Sequence, residues 1–399
     1  MKRTHWRTAR RVRNRLAVAA IVSMAAGVLA VTQSAGASPP RSQIPQVVHV
    51  RVLPDADAQL FAPITPQAAA NAALKTYAST VTDLGKTYTY RMVGTNPEVR
   101  SATSNSSTIS TVVIPLIVKF SNGDVFSPTM TDSCDPGATP IVRVQKSPLF
   151  NSRAWTWGGT SIGTGQYIDA FERAEFWHYV RPIGSNPGYG IQLALSVHPA
   201  ITVTVPLADS AERSGTGCGI GKLGVVSPSW ALSYIKSVLV PLLPSFGISP
   251  RDFPIFLTHN VVVGTPTSCC VLGIHSALST PQGLQTFAFA DYENSGSFGV
   301  ASEDVSVLAH EVGEWVNDPF VNNATRPWGH VGQVANCQAN LEVGDPLSGT
   351  SVSVPELGFT YHPQELAFFS WFYRQAPSLG VNGWYSNKGT FKTTQGTCT

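Results

Sequence analysis

The stretch LAHEVGEWVNDP, residues 308–319, brings His310, Glu311 and Glu314 within five positions of one another. An imidazole and two carboxylates at this spacing are the side chains that hold a divalent metal and move protons. At 100° per residue, Val305, Leu308, Ala309, Val312, Trp315 and Val316 occupy one arc of a helix. Glu303, Ser306, His310, Glu311, Glu314 and Asn317 occupy the other. His310 and Glu314 therefore project side by side, one turn apart, with Glu311 next to them. Ser302 suits the N-cap, Glu303 and Asp304 the first turn, and Pro319 after Asp318 the stop. An amphipathic surface helix with a wet face of one His and two Glu would carry the same pattern.

Two strand-like segments precede this helix, FPIFLTHNVVV (253–263) and LQTFAFADYE (284–293), and an acidic motif, NLEVGDP (340–346), follows it. HEVGEW in that setting resembles the zincin metallopeptidases, most closely the gluzincin type, whose third metal ligand is a distant Glu or Asp. It is also similar to a group of exported bacterial proteins of unassigned activity that share HE-x-x-EW, DPF and LEVGDPL. The resemblance covers about residues 250–345. It implies His310 as a metal ligand, Glu311 as general base for a metal-activated water, and Glu314 where the family has its second His. The implied reaction is hydrolysis of a peptide bond in a peptide or protein substrate, with Zn²⁺ as cofactor.

For the third ligand, Glu342 lies 28 residues beyond Glu314, enough for a loop and return to the helix, and His330 in PWGHVG competes for the place. Asp345 and Asp318 are expected to orient the ligands rather than to bind. Zn²⁺ accepts carboxylate oxygens at about 2.0 to 2.2 Å, so Glu314 is compatible with a metal. With two carboxylates the ion becomes a weaker Lewis acid, and harder ligands also admit Mn²⁺ or Ca²⁺. His330, Tyr361 and His362 are the candidates for an oxyanion partner. LQTFAFADYE is a candidate edge strand for an extended peptide.

Two weaker patterns compete. GGTSIG contains Gly159-Thr160-Ser161-Ile162-Gly163, a match to the nucleophile elbow of a serine hydrolase, but also a glycine-rich hairpin turn. Glu175-x-x-His178 has a spacing used in carboxylate-bridged metal sites. His198, His259 and His275 stand in apolar or strand contexts and read as structural histidines. A non-catalytic exported binding or envelope protein on a zincin-like scaffold is the alternative to the peptidase.

The elements that must position these residues follow an address. Seven basic residues, the apolar run LAVAAIVSMAAGVLAV (16–31) and Ala35-Gly36-Ala37 make residues 1–37 a signal peptide, with the mature chain secreted or in the cell envelope. Its removal leaves 20 Lys+Arg against 24 Asp+Glu, a net charge of −4, which argues against nucleic acid. No later run is long enough for a stable membrane span. Cys134, Cys218, Cys269, Cys270, Cys337 and Cys398 are an even set and read as disulfides, with Cys269 and Cys270 expected to tie two different segments.

The expected fold class is α+β: a β-rich N-terminal region at 38–207 packed on a zincin-like domain at 208–399. TYTYRMV, STVVIPLIVKF, PIVRVQ, AWTW and ITVTVPL read as strands. IDAFERAEFWHYV (168–180), SPSWALSYIKSVLVPLL (227–243, with a break at Pro241) and PQELAFFSWFY (363–373) read as helices.

Overall fold

Val112 to Val118 form an almost uninterrupted apolar run, and a strand apolar on both faces belongs in the middle of a sheet. In the computed structural model, which describes residues 61, 63–99, 105–134, 136–180, 188–215, 217–265, 268–378, 381–396 and 398, that run lies in strand β1 (Ser106–Phe120). The expected signal peptide at 1–37 lies outside the described residues.

β1 is the centre of a seven-stranded, mostly parallel sheet. β3 (Gly190–Val197) and β4 (Ile201–Val205) pair with it in succession, both parallel. β5 (Phe253–His259) pairs with β1 in parallel, and the two-residue β2 (Val125–Phe126) pairs antiparallel near its end. β7 (Gly283–Tyr292) follows β5 in parallel. β6 (Gly273–Thr280) runs antiparallel to β7 and forms the edge. LQTFAFADYE is therefore an interior strand, and GIHSALST beside it is an edge strand of this sheet.

The sheet takes strands from either side of residue 208, and all described residues belong to one compact unit, Ser42–Thr399. Strand exceeds helix throughout, in keeping with an α+β class. No helix among the described residues is long and apolar enough to cross a membrane.

Three local expectations change. PIVRVQ is a helix, α1 (Pro140–Lys146), because the Thr139 side chain caps it by accepting from Val142 N and Pro140 sits where its missing N–H costs nothing. The helical run from Pro228 passes through a π-turn at Ile235–Leu239, which accommodates the ring of Pro241 instead of breaking there. PQELAFFSWFY is helical only over Phe369–Phe372, because Glu365 N and Ala367 N donate to Thr350 O and Val343 O.

The fully buried Glu365 carboxylate explains that extension. It accepts from Ser386 Oγ at 2.6 Å, Lys388 N at 3.2 Å, and Thr390 N and Oγ1 at 3.1 and 2.6 Å. Glu365→Ala is expected to destabilise the protein by roughly 3 kcal/mol, since it leaves several buried donors unmet. A lowered urea midpoint with an unchanged native-state circular dichroism spectrum would be the sign.

All six cysteines are in disulfides: Cys134–Cys218, Cys337–Cys398 and Cys269–Cys270. Cys269 and Cys270 pair with each other and do not tie separate segments. Cys337–Cys398 closes a separation of 61 residues. Its removal by Cys337→Ser with Cys398→Ser is expected to cost roughly 4 kcal/mol through the freed unfolded chain, read as the shift of a denaturant midpoint.

Candidate metal centre

The helix α2 (Ser306–Asn317) carries the motif, and every one of its twelve residues is buried. A surface helix with a wet polar face is thereby excluded. Trp315 fixes the apolar arc, stacking on Phe253 at 3.6 Å while its Nε1 donates to Thr286 Oγ1 at 3.1 Å. The helix begins at Ser306, later than the Ser302 cap implied, because Asp304 turns out of helical geometry with φ +49°. The Asp304 carboxylate is engaged by His362, accepting from its backbone N at 3.0 Å and lying 2.7 Å from its Nδ1.

The opposite, polar arc is covered by the segment that follows the hairpin of β8 (Ala324–Val331) and β9 (Val334–Asn340). Glu314 Oε1 accepts from Gly344 N at 3.1 Å and Asp345 N at 3.2 Å, which ties NLEVGDP onto the helix. Two glycines make the close approach possible. A Cβ on Gly344 would lie 2.5 Å from His310 Nδ1, and one on Gly273 would lie 2.2 Å from Glu311 Oε1.

His310 Nε2 lies 3.0 Å from Glu314 Oε2 and 3.6 Å from Asp345 Oδ1. Four ligands about 2.0 to 2.2 Å from a zinc ion in a tetrahedron stand roughly 3.3 to 3.6 Å apart, which these separations bracket. His310 Nδ1 lies 3.2 Å from Gln364 Oε1, and Gln364 Nε2 donates to Gly344 O at 2.6 Å, fixing the amide's orientation. Nε2 is thus the ring nitrogen that faces Glu314 and Asp345. Asp345 is itself held by Gln338 Nε2 at 2.7 Å and by Gln333 Nε2.

The third candidate ligand grouped with His310 and Glu314 is thus Asp345, expected only to orient the others. Glu342 lies instead with His275, which reaches the site from the edge strand β6. His275 Nδ1 is 3.5 Å from Glu314 Oε2 and 3.6 Å from Glu311 Oε2, and its Nε2 is 3.8 Å from Glu342 Oε2. The residue read as a structural histidine is therefore part of the cluster. Asp318 lies beside this cluster: its backbone O is 3.2 Å from His275 Nε2, and its carboxylate accepts from Asn322 N and Asn323 N.

Other expected residues stand elsewhere. His330 is exposed at the end of β8, beside the Cys337–Cys398 disulfide, and is not brought to His310. Tyr361 OH donates to Arg143 O. Ser161 is an exposed strand residue of the hairpin Arg153–Trp157/Thr160–Gly165, whose Gly158 and Gly159 both have positive φ, so no strand-to-helix elbow exists there. Glu175 accepts from Phe369 N, and His178 sits edge-on to Tyr179.

No family model, curated protein or solved structure matches the chain. The chemistry of the site therefore has to come from its own electrostatics. Burial opposes charge on His310, but Glu314, then Glu311 and Asp345, outweigh it and hold the imidazolium well above its usual range. His275 moves the same way: burial opposes, and Glu342, Glu311 and Glu314 prevail. At Glu314 burial is overcome by the two imidazoles, which hold it at about 2. Burial, with the Glu314 charge, pushes Asp345 up to about 8, and burial pushes Asp318 up to about 7.

The Oε2 atoms of Glu311, Glu314 and Glu342 are buried, have no well-aligned hydrogen bond, and face only the imidazole nitrogens of His275 and His310. A polar cluster this deep normally satisfies each oxygen. Carboxylate oxygens turned toward imidazole nitrogens, with donors supplied only from behind, are the arrangement a divalent cation would satisfy.

Proposed function

We propose that this protein is a metal-dependent peptidase of the secreted or envelope space, with His310, Glu314 and Asp345 holding a divalent ion and Glu311 serving as general base. The supporting observation is the convergence of His310 Nε2, Glu314 Oε2 and Asp345 Oδ1 on one buried point, with Glu311 on the same helix face. The ion, zinc or manganese for this donor set, would supply Lewis acidity at the scissile carbonyl.

The chain's own residues would do the rest. Glu311 accepts a proton from the attacking water as its oxygen bonds to the carbonyl carbon, then passes that proton to the amine nitrogen as the C–N bond breaks. Burial raises the basicity of the Glu311 carboxylate. β6 is paired on one side only, and its exposed end at Leu278–Thr280 is where an extended peptide would lie. Three disulfides support an oxidising location.

One observation favours a second reading, a metal-stabilised binding protein without turnover. The most accessible side chain at the metal point, His310, is only 9% exposed, and Glu311 is 3%. The deciding experiment incubates the zinc-loaded mature protein with a fluorescent unfolded protein, alongside Glu311→Gln and a chelated control. Cleavage lost in both controls supports the peptidase. An intact substrate with stoichiometric bound metal supports the binding protein.

A further inference from the structure

Glu314 belongs to two groups of buried donors. The first is His310, Glu314 and Asp345; the second is His275, Glu314 and Glu342, whose ligand atoms lie within 4.8 Å of one another. We propose that the second group is a second divalent-cation position, and that Glu314 is shared between two ions. The inference extends the metal reading of His310 but stands on residues from a different strand and loop.

Glu342 carries the first argument. It is 2% exposed, its Oε1 accepts from Asn340 Nδ2, and its Oε2 accepts nothing while pointing toward His275. A fixed carboxylate with one oxygen held from behind and the other turned to an imidazole is half of a ligand pair.

His275 carries the second. Its Nδ1 faces Glu314 Oε2 at 3.5 Å, while its Nε2 faces the Asp318 backbone carbonyl at 3.2 Å, the partner a ligating imidazole usually takes with its remote N–H. Glu342 Oε2 lies 3.8 Å from that Nε2 and would turn toward Nδ1 to share the ion. The same division of labour holds at His310, where the remote nitrogen faces Gln364 and the near one faces Glu314. Both imidazoles thus direct one nitrogen at a single carboxylate.

Charge supplies the third argument. Glu311, Glu314, Asp318, Glu342 and Asp345 are all buried, against two imidazoles. With all five ionised and both imidazoles neutral, as ligation requires, one divalent ion leaves a net charge of −3 in a low-dielectric interior and two leave −1. One nitrogen and two carboxylate donors suit Zn²⁺ or Mn²⁺, and carboxylates that bridge paired ions are an established way to hold two metals together.

The test is metal stoichiometry, by native mass spectrometry and elemental analysis, as the mature protein is titrated with Zn²⁺ and separately with Mn²⁺. Two ions per chain are expected in the wild type, and one in each of His275→Ala, Glu342→Gln and His310→Ala. Glu342→Gln keeps the side chain's shape, so it carries the test if His275→Ala fails to fold. A wild type that saturates at one ion, lost in His310→Ala and unchanged in Glu342→Gln, overturns the second position and leaves the His310 site standing. One ion lost in both His275→Ala and His310→Ala also overturns it, making a single site of both imidazoles. One ion lost in Glu342→Gln and kept in His310→Ala upholds the His275 position and removes the His310 site. A protein that binds none overturns both.

Discussion

Glu311→Gln is expected to lower cleavage of an unfolded substrate by roughly 10²- to 10⁴-fold, the usual contribution of a positioned general base. The substitution should leave the fold and the metal content intact. Glu311 packs closely against Gly273, and the amide has the carboxylate's shape. Glu311 is also absent from both groups of candidate ligands, whereas His310→Ala would break the first of them. The loss should therefore fall on kcat with KM little changed, as when an interaction made only in the transition state is removed. Equal cleavage by Glu311→Gln and wild type would remove Glu311 as the base. A loss of bound metal in the variant would make it a ligand.

The helix, the central strand and most of the interior strands were legible because their signals are local. An apolar run in β1 and a period of 3.6 in α2 survive whatever packs on them. The motif also placed His310, Glu311 and Glu314 on one face, which needs only helical geometry.

What did not follow was which distant residue meets them. Glu342 and Asp345 are three positions apart on a loop, and the direction each side chain takes depends on the Glu314 Oε1 contacts with Gly344 N and Asp345 N. No periodicity encodes those contacts. His275 was equally hidden: one histidine in GIHSALST looks like any core histidine until the antiparallel edge strand is laid over the helix. The failure of PQELAFFSWFY as a helix has the same origin, since Glu365 is drawn into long-range bonds that helical periodicity does not register.

Metal removal should destabilise the protein progressively more as pH rises. In the metal-free fold His275 and His310 are displaced upward from 6.5, so the stability they contribute is complete below that value and is lost as pH rises through their folded values. Asp318 and Asp345 act with the same sign. They stay neutral in the fold up to about 7 and about 8, against 3.8 when unfolded, so the folded state is penalised as pH climbs through that interval. A bound cation reverses the demand, because it needs unprotonated imidazoles and ionised carboxylates, and protons compete with it at low pH. The gap in Tm between metal-loaded and chelated protein is therefore expected to be small at pH 5 and to widen toward pH 8. With free ion at about a thousand times Kd the stabilisation is about 4 kcal/mol, or roughly 5 to 10 °C for a chain of this size. Calorimetry across that pH range in chelator and in Zn²⁺ measures the gap directly. A gap that narrowed with rising pH, or a Tm indifferent to chelator throughout, would mean that protons alone, rather than a cation, balance the buried carboxylates around Glu314.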